Sequence, residues 1–578
     1  MKKSLLGVAG AAAVVVGAAS AQADVLQYSF ETLYNEMGMP DPLGTRPDGF
    51  HTNPNAPNNF VAQDTFGVTD GMFSLRYSQI PAATFTGAIT ELGVPFPVIN
   101  APTTSAISMD VTIKPGEEFT GVFANLGLTE FGEHPTMGEG QAQTIAAVEQ
   151  PVDLEAGTYR LVIPLIARNR PYDPFELDIS FHDIVNTGAN PMTPTSFQFY
   201  VNKDTSSALA IYVDNMQAVT SNSAAWKNPG DGNWSDAASW AGFPVVVPNA
   251  TDATAVLSLG VMTLATITVD QPHTVGEMIF NTGGSYTIAG PSALTMDVSS
   301  GQARLAVYTG SHAISAPLVL NDDLTVNVQR STSVLTLSGP ITATGRTITK
   351  AGTGRADVSP INASGLVINA GTVKVLPDGT ANGTSRVNSL TIAGGTTPTA
   401  KLDVSNNAFV VNYPPNDAEP FDTIKAQIIH AYNGGAWDQD GITSADANAS
   451  THGIGYAEAS ALTTIPAIFG TVDATSVLFR FTRYGDADLS GSVNLADFNR
   501  LAANFGAAGA NWDQGDFNYD GNVNLQDFNR LAGNFGQSAG PDGPTPQDWA
   551  NLAAAVPEPA ASLFLLAAPL LAQRRRRR

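Results

Sequence analysis

The 578-residue chain contains no cysteine, and few of its side chains carry charge. Without cysteine there is no disulfide staple, no thiolate ligand for zinc and no thiol nucleophile. Charged residues make up 14% of the chain and are unbalanced, with 28 Lys plus Arg against 52 Asp plus Glu, a net charge of -24. So few cations exclude a nucleic-acid partner, whose phosphates must be met by Lys and Arg. Long apolar runs are confined to the two ends, and tryptophan is missing before Trp226. What is plentiful is glycine (54) and proline (37) within a 43% hydrophobic chain. That is too apolar for wholesale disorder and too long for one core, so several domains are expected.

The two ends bear on location. Lys2 and Lys3 precede an apolar stretch over 5–19, and Ala21-Gln22-Ala23 is a small-x-small cleavage site. This is the pattern of an export signal over 1–23, shorter than the roughly 20 apolar residues of a membrane span. At the other end, Val556-Pro557-Glu558-Pro559 is followed by an apolar run over 560–572, Gln573 and five arginines, 574–578. The segment 556–578 resembles the PEP-CTERM sorting signal of Gram-negative and planctomycete-type bacteria. The resemblance implies recognition by a membrane exosortase, and a secreted or cell-surface location. Loss of two lysines with the leader and five arginines with the tail leaves 21 Lys plus Arg against 52 Asp plus Glu, or -31. So acidic a mature protein suggests a cationic partner.

A thirty-residue repeat supplies one. Asp486, Asp488, Ser490, Ser492, Asn494 and Asp497 stand at positions 1, 3, 5, 7, 9 and 12 of a loop, and Asp516, Asn518, Asp520, Asn522, Asn524 and Asp527 repeat them. Calcium takes about six to eight hard oxygen ligands, and a loop of about 12 residues provides them at this spacing, position 7 through its backbone carbonyl and position 9 often through water. Gly491 and Gly521 fall at position 6, where the chain turns sharply. Val493 and Val523 at position 8 are expected to pair the loops through a short β-contact. Behind each loop, Phe498, Leu501 and Phe505, then Phe528, Leu531 and Phe535, mark one face of a helix ended by Gly506 and Gly536. Position 12 is Asp, and no helical pattern precedes either loop. In both respects 484–536 resembles a dockerin type I (F-hand) module, which implies two calcium sites. Cohesin-binding dockerins commonly carry Ser-Thr at positions 10 and 11, where this chain has Leu495-Ala496 and Leu525-Gln526. Calcium therefore carries over and a cohesin-like partner does not; a closing module and a docking module both remain open.

The rest is mainly β. Between 226 and 412, short alternating runs such as Ala265-Thr266-Ile267-Thr268-Val269 recur between Gly, Asn or Pro turns. Degenerate repetition favours a solenoid, in which each coil buries its apolar face on its neighbours, with stacked sandwiches as the alternative. Ile348-Thr349-Lys350-Ala351-Gly352-Thr353-Gly354 and residues 366–375 resemble the autotransporter-associated β-strand repeat, and Trp226, Trp234 and Trp240 resemble the opening segment of such regions. The resemblance implies a right-handed parallel β-helix. Residues 413–481 read as a turn-rich β cap, and 537–555 as a linker. Residues 24–220 alternate like half-buried strands. The run Leu209-Ala210-Ile211-Tyr212-Val213-Asp214-Asn215-Met216 resembles the closing strand of carbohydrate-binding jelly rolls, which implies pairing with an N-terminal strand near Tyr28 and a third calcium near Glu31 and Asp214.

Dispersed carboxylates (Asp270, Glu277, Asp297, Asp357 and Asp403, with Asp322-Asp323 the sole close pair) form no catalytic constellation, and single histidines such as His273, His312 and His430 read as structural. The sequence thus points to an exported, non-enzymatic surface or matrix protein with a structural or adhesive role. The alternative is a carbohydrate-binding component of polysaccharide degradation, acting on extracellular polysaccharide through the jelly roll or the dockerin.

Overall fold

The computed structural model describes residues 264–538 without a break, 223–257 with short gaps, and before these the strands between 25 and 219 with a few adjoining residues. The expected leader (1–23), Glu31, and the chain from 539 through the tail lie outside the described residues.

The first part forms two antiparallel sheets. One runs Gly157–Pro164, Ala106–Ile113, Leu209–Val219, Ser74–Gln79, Asn59–Asp64; the other runs Gly138–Ala147, Asn125–His134, Thr193–Asn202, Phe85–Thr90, Phe50–Thr52. The closing strand Leu209–Val219 also pairs with Val25–Tyr28, the N-terminal partner expected for it. Alternation sets its faces: Leu75, Met109, Val111 and Val213 point inward, while Asp110, Thr112 and Arg160 share the opposite face.

That polar face meets the solenoid. The Tyr308 hydroxyl accepts from Arg160 N and donates to Arg160 O, both at 2.8 Å. Gln329 Nε2 donates to Ala156 O at 2.9 Å. Glu277 lies 3.7 Å from Arg160 and 3.6 Å from Arg304, so the junction is built from polar groups.

From Ala224 onward the strands stack as three parallel ladders. One passes through Thr254–Leu257, Glu277–Asn281, Ala303–Thr309, Leu324–Val328, Ile341–Ala351, Asn362–Ile368, Ser385–Ile392 and Ala408–Asn412. A second runs from Gly232–Asn233 to Gly441–Thr443, and a third begins at His273–Val275. Parallel pairing from coil to coil along these ladders, with antiparallel pairs only at the two ends among the described residues, decides for the solenoid over stacked sandwiches. Period-2 alternation places Ile267, Ile288, Ile314, Leu337, Val358 and Val375 in one buried column, each opposite the next. Burial of each such side chain contributes about 1.5–3 kcal/mol.

The Lys-Ala-Gly-Thr-Gly run is explained by stacked turns. Lys350 is 1% exposed, and its ammonium donates to the carbonyls of Ala351 (2.6 Å), Gly352 (2.8 Å) and Ala370 (3.4 Å). Burial lowers its pKa to about 7, while three carbonyls favour the charged form. His312 is fixed as the neutral ring, since Nδ1 accepts from Tyr286 N at 3.1 Å and Nε2 donates to Thr309 O at 2.9 Å. The adjacent pair of carboxylates ties the coils together: Asp322 accepts from Val298 N and Asp323 from Thr347 N, each at 2.8 Å.

Both ends of the stack are plugged by aromatic rings. At the first coil, Trp226 and Trp234 pack on Trp240 at 5.1 and 5.0 Å, all fully buried. At the last, the expected turn-rich β cap instead contains a 12-residue helix, α1 (Phe421–Tyr432), beside the antiparallel strands His452–Glu458 and Ser476–Arg483. Phe421, Ile424, Ile428 and Ala431 line its buried side at helical spacing, and Asn433 ends it in the left-handed region at φ 40.

Two outcomes follow. Burial pushes the His312 pKa down to about 4 from 6.5, so folding stability is full above the unfolded value and is lost as pH falls through the folded one. Melting temperature should fall between those pH values, and His312→Gln should flatten that fall. Lys350→Met strands three turn carbonyls and should lower stability by about 1–3 kcal/mol, read as a shift in the urea midpoint.

Candidate metal centre and its seat on the cap

The two repeated loops have the same hydrogen-bond pattern. Asp486 Oδ1 accepts from Ser490 N at 2.9 Å and Oδ2 from Gly491 N at 2.8 Å. Thirty residues on, Asp516 accepts from Asp520 N at 3.1 Å and Gly521 N at 3.0 Å. At position 12, Asp497 accepts from the backbone of Ala487, Asp488 and Asn494, and Asp527 from that of Phe517, Asn518 and Asn524. Gly491 and Gly521 take φ +91 and +79, which only glycine adopts without strain. Leu489 and Tyr519 at position 4 are also left-handed, at φ 59 and 61, and their burial holds them there.

Positions 1 and 12 are buried at 0% exposure in both loops; Asp488, Ser492, Asn494, Asn518 and Asn524 are half-buried, and Ser490, Asp520 and Asn522 are exposed. One ligand oxygen each from Asp486, Asp488 and Asp497 lie within 4.8 Å of one another. Burial raises the pKa of Asp486 and Asp516 to about 7, and burial likewise raises Asp497 and Asp527. Arg480 beside the first loop opposes the shift of Asp486. Buried carboxylates converging this closely, with hard oxygens around them, suit a divalent cation of the calcium type.

Several roles differ from the expected ones. Val493 and Val523 do not pair with each other. Val493 exchanges hydrogen bonds with Gly536 and Gln537, and Val523 with Gly506 and Ala507, so each loop pairs with the segment that follows the other helix. The amide oxygens of Asn494 and Asn524 cap α2 (Leu495–Ala503) and α3 (Leu525–Asn534), accepting from Ala496 N and Gln526 N at 2.8 Å. Asn494 and Asp497 close a capping box, as do Asn524 and Asp527, an Asn-x-x-Asp signal legible in the sequence. Phe505, two residues past the end of α2, is 57% exposed, whereas Phe535, directly after α3, is 2% exposed.

The module is seated on the cap. Tyr519 Oη donates to Ile454 O and accepts from Ile454 N, both at 3.1 Å. Its ring lies 4.5 Å from that of Tyr432 and 5.3 Å from that of Trp512. Trp512 Nε1 donates to Asp486 O at 2.6 Å, tying the seat to position 1 of the first loop. Arg530 donates to the Tyr432 hydroxyl at 2.7 Å and lies 4.3 Å over the Tyr484 ring. Lys425 of α1 reaches Asn511 Oδ1 at 2.7 Å. The Gly453-Ile454-Gly455 run leaves room for these rings, since a Cβ on Gly453 would meet Tyr519 Oη at 2.7 Å and one on Gly455 would meet Trp512 Nε1 at 2.7 Å. In the sandwich, Asp214 is buried opposite Asp110, to which Asn215 donates at 3.1 Å; its expected companion Glu31 is outside the described residues.

No protein-family model matches the chain, and no curated protein matches it. Among solved structures, it is similar to carbohydrate-binding modules of the β-sandwich superfamily (15% identity, 32% of this chain and 60% of that one, TM-score 0.20). It is also similar to the CBM22-1 xylan-binding domain from Paenibacillus barcinonensis Xyn10C (18% identity, 35% and 96%, TM-score 0.21). A third is the family 11 carbohydrate-binding module of the cellulosomal cellulase Lic26A-Cel5E of Clostridium thermocellum (13% identity, 35% and 97%, TM-score 0.22).

Tyr519→Phe leaves the buried N–H and C=O of Ile454 without their partner. It should cost about 1–3 kcal/mol, read from the urea midpoint of the full chain.

Proposed function

We propose that this is an exported, non-enzymatic surface or matrix protein whose two F-hand loops bind calcium and close the end of a β-solenoid. The observation that supports it most directly is the paired set of buried aspartates, Asp486 with Asp497 and Asp516 with Asp527, in loops whose backbone donors to those aspartates repeat. Asp486, Asp488, Ser490, the Ser492 carbonyl and Asp497 would hold one ion, and Asp516, Asn518, Asp520, the Asn522 carbonyl and Asp527 the other. Asn494 and Asn524, engaged as helix caps, would contribute only through water. Calcium would supply the positive charge that Arg480 near the first loop and Lys425 near the second provide only in part.

The seat favours a closing role over a docking one. Tyr519 and Arg530 bond to the cap and Trp512 packs on Gly455 of it, which a module offered to a separate cohesin-like partner would not require. Export through the leader and sorting through an exosortase-recognised tail complete the reading, with calcium and the exosortase as partners. A carbohydrate-binding role is the second reading.

Calcium titration of the chelated full chain should give two binding events and a higher melting temperature. Asp486→Ala with Asp516→Ala should abolish both. Absence of any heat or thermal shift in the parent chain would refute the calcium reading.

A further inference from the structure

One outward groove of the solenoid is separate from the calcium module. It encloses about 360 Å³ and is lined by Thr344, Asn362, Ser364, Arg386 and Asn388 on one side and Thr471 and Val472 on the other. That volume is within the range of about 300–1,000 Å³ usual for small-molecule sites.

The register dictates the lining. Asn362, Arg386 and Val410 stand opposite one another on three successive coils, as do Ala363, Val387 and Val411. The next position along each strand is therefore Ser364, Asn388 and Asn412. Because side chains alternate, Asn362 with Ser364 and Arg386 with Asn388 point out of the same face. The result is a two-row polar ladder whose rungs are about 4.8 Å apart, the scale of one pyranose ring. The opposite wall is cap backbone, held in place because Arg386 donates to the carbonyls of Phe469 and Thr471.

The chemistry of the groove selects its ligand. Asn362 and Asn388 are exposed and their amides make no hydrogen bond to the described residues, so donors and acceptors are both free. The Arg386 guanidinium is taken up by backbone carbonyls, and no carboxylate lines the groove. Val472, half-buried on the opposite wall, gives apolar surface for a sugar's C–H face. A chain of net charge -24 also repels polyanions.

We infer that this groove binds a linear neutral polysaccharide laid across the coils, one sugar ring per rung. The inference rests on the surface-or-matrix reading above and gives it a ligand class, and it stands apart from calcium, whose titration fails or succeeds independently.

The test is native affinity electrophoresis of the full calcium-loaded chain. Gels contain soluble xylan, mixed-linkage β-glucan or galactomannan, with alginate as the acidic arm. Retardation by at least one neutral polymer is expected. Asn362→Ala with Asn388→Ala should weaken it tenfold or more, and Asn388→Trp, which fills the groove from an exposed position, should abolish it. Unchanged melting temperatures confirm that both variants fold. The inference is overturned by no retardation in any neutral polymer, by retardation in alginate alone, or by variants that bind as well as the parent chain.

Discussion

A stack of parallel coils has two ends, and at each the terminal rung presents unpaired backbone and an apolar cross-section to water. The layout of this molecule follows from that constraint. At the first end three tryptophans fill the bore, with Trp234 donating to Pro248 O at 2.9 Å and Trp240 to Trp234 O at 2.7 Å. At the second, the ladder changes from parallel to antiparallel where Ala408–Asn412 pairs with Ser476–Arg483. Helix α1 covers the bore there, and the loop module covers the strands beside it. Both plugs cover the apolar cross-section that a bare terminal coil would expose.

The second plug carries a conflict that the first does not. It is built from aromatic rings and from aspartates at 0% exposure, and burial of a carboxylate is unfavourable unless charge or hydrogen bonds compensate. The backbone supplies part of that compensation, with two or three N–H donors to each of Asp486, Asp497, Asp516 and Asp527. These donors are preorganised by the left-handed residues at positions 4 and 6, so the loops hold their shape through the backbone. The cap reaches the first loop directly, because Thr482 on the cap strand donates to the Asp486 carboxylate, while Trp512 donates to the Asp486 backbone carbonyl.

Much of this was legible in the residues. The period-2 alternation with turn glycines marked the solenoid, and the thirty-residue repeat marked both loops. The lysine-glycine run was visible as a resemblance, but its reason, one ammonium satisfying carbonyls from two stacked turns, depends on coil register. The pairing of Val493 with 536–537 was hidden for a similar reason: two identical loops give no local sign of whether they pair with each other or across each other's helices. Helix α1 had a readable face in Phe421, Ile424, Ile428 and Ala431, masked by the turn-rich sequence after it. The roles of Tyr519 and Trp512 had no sign in the sequence, since only tertiary packing sets them against Ile454 and Gly455 of the cap.

The polar ladder extends the same logic to the outside of the stack. Where coils repeat at a fixed rise, any outward residue type that recurs at one register position becomes a row, and two rows become a surface with a period. On the coil before the groove those rows are Thr342 and Thr344, which suit a solvated β-face. At Asn362, Ser364 and Asn388 the row changes to amides and a hydroxyl, and it does so where the cap strand turns back to form a wall. A solvated face needs neither the change of residue type nor the wall. Their coincidence beside Arg386, which fixes that wall to the ladder, is what distinguishes a groove from a decorated surface.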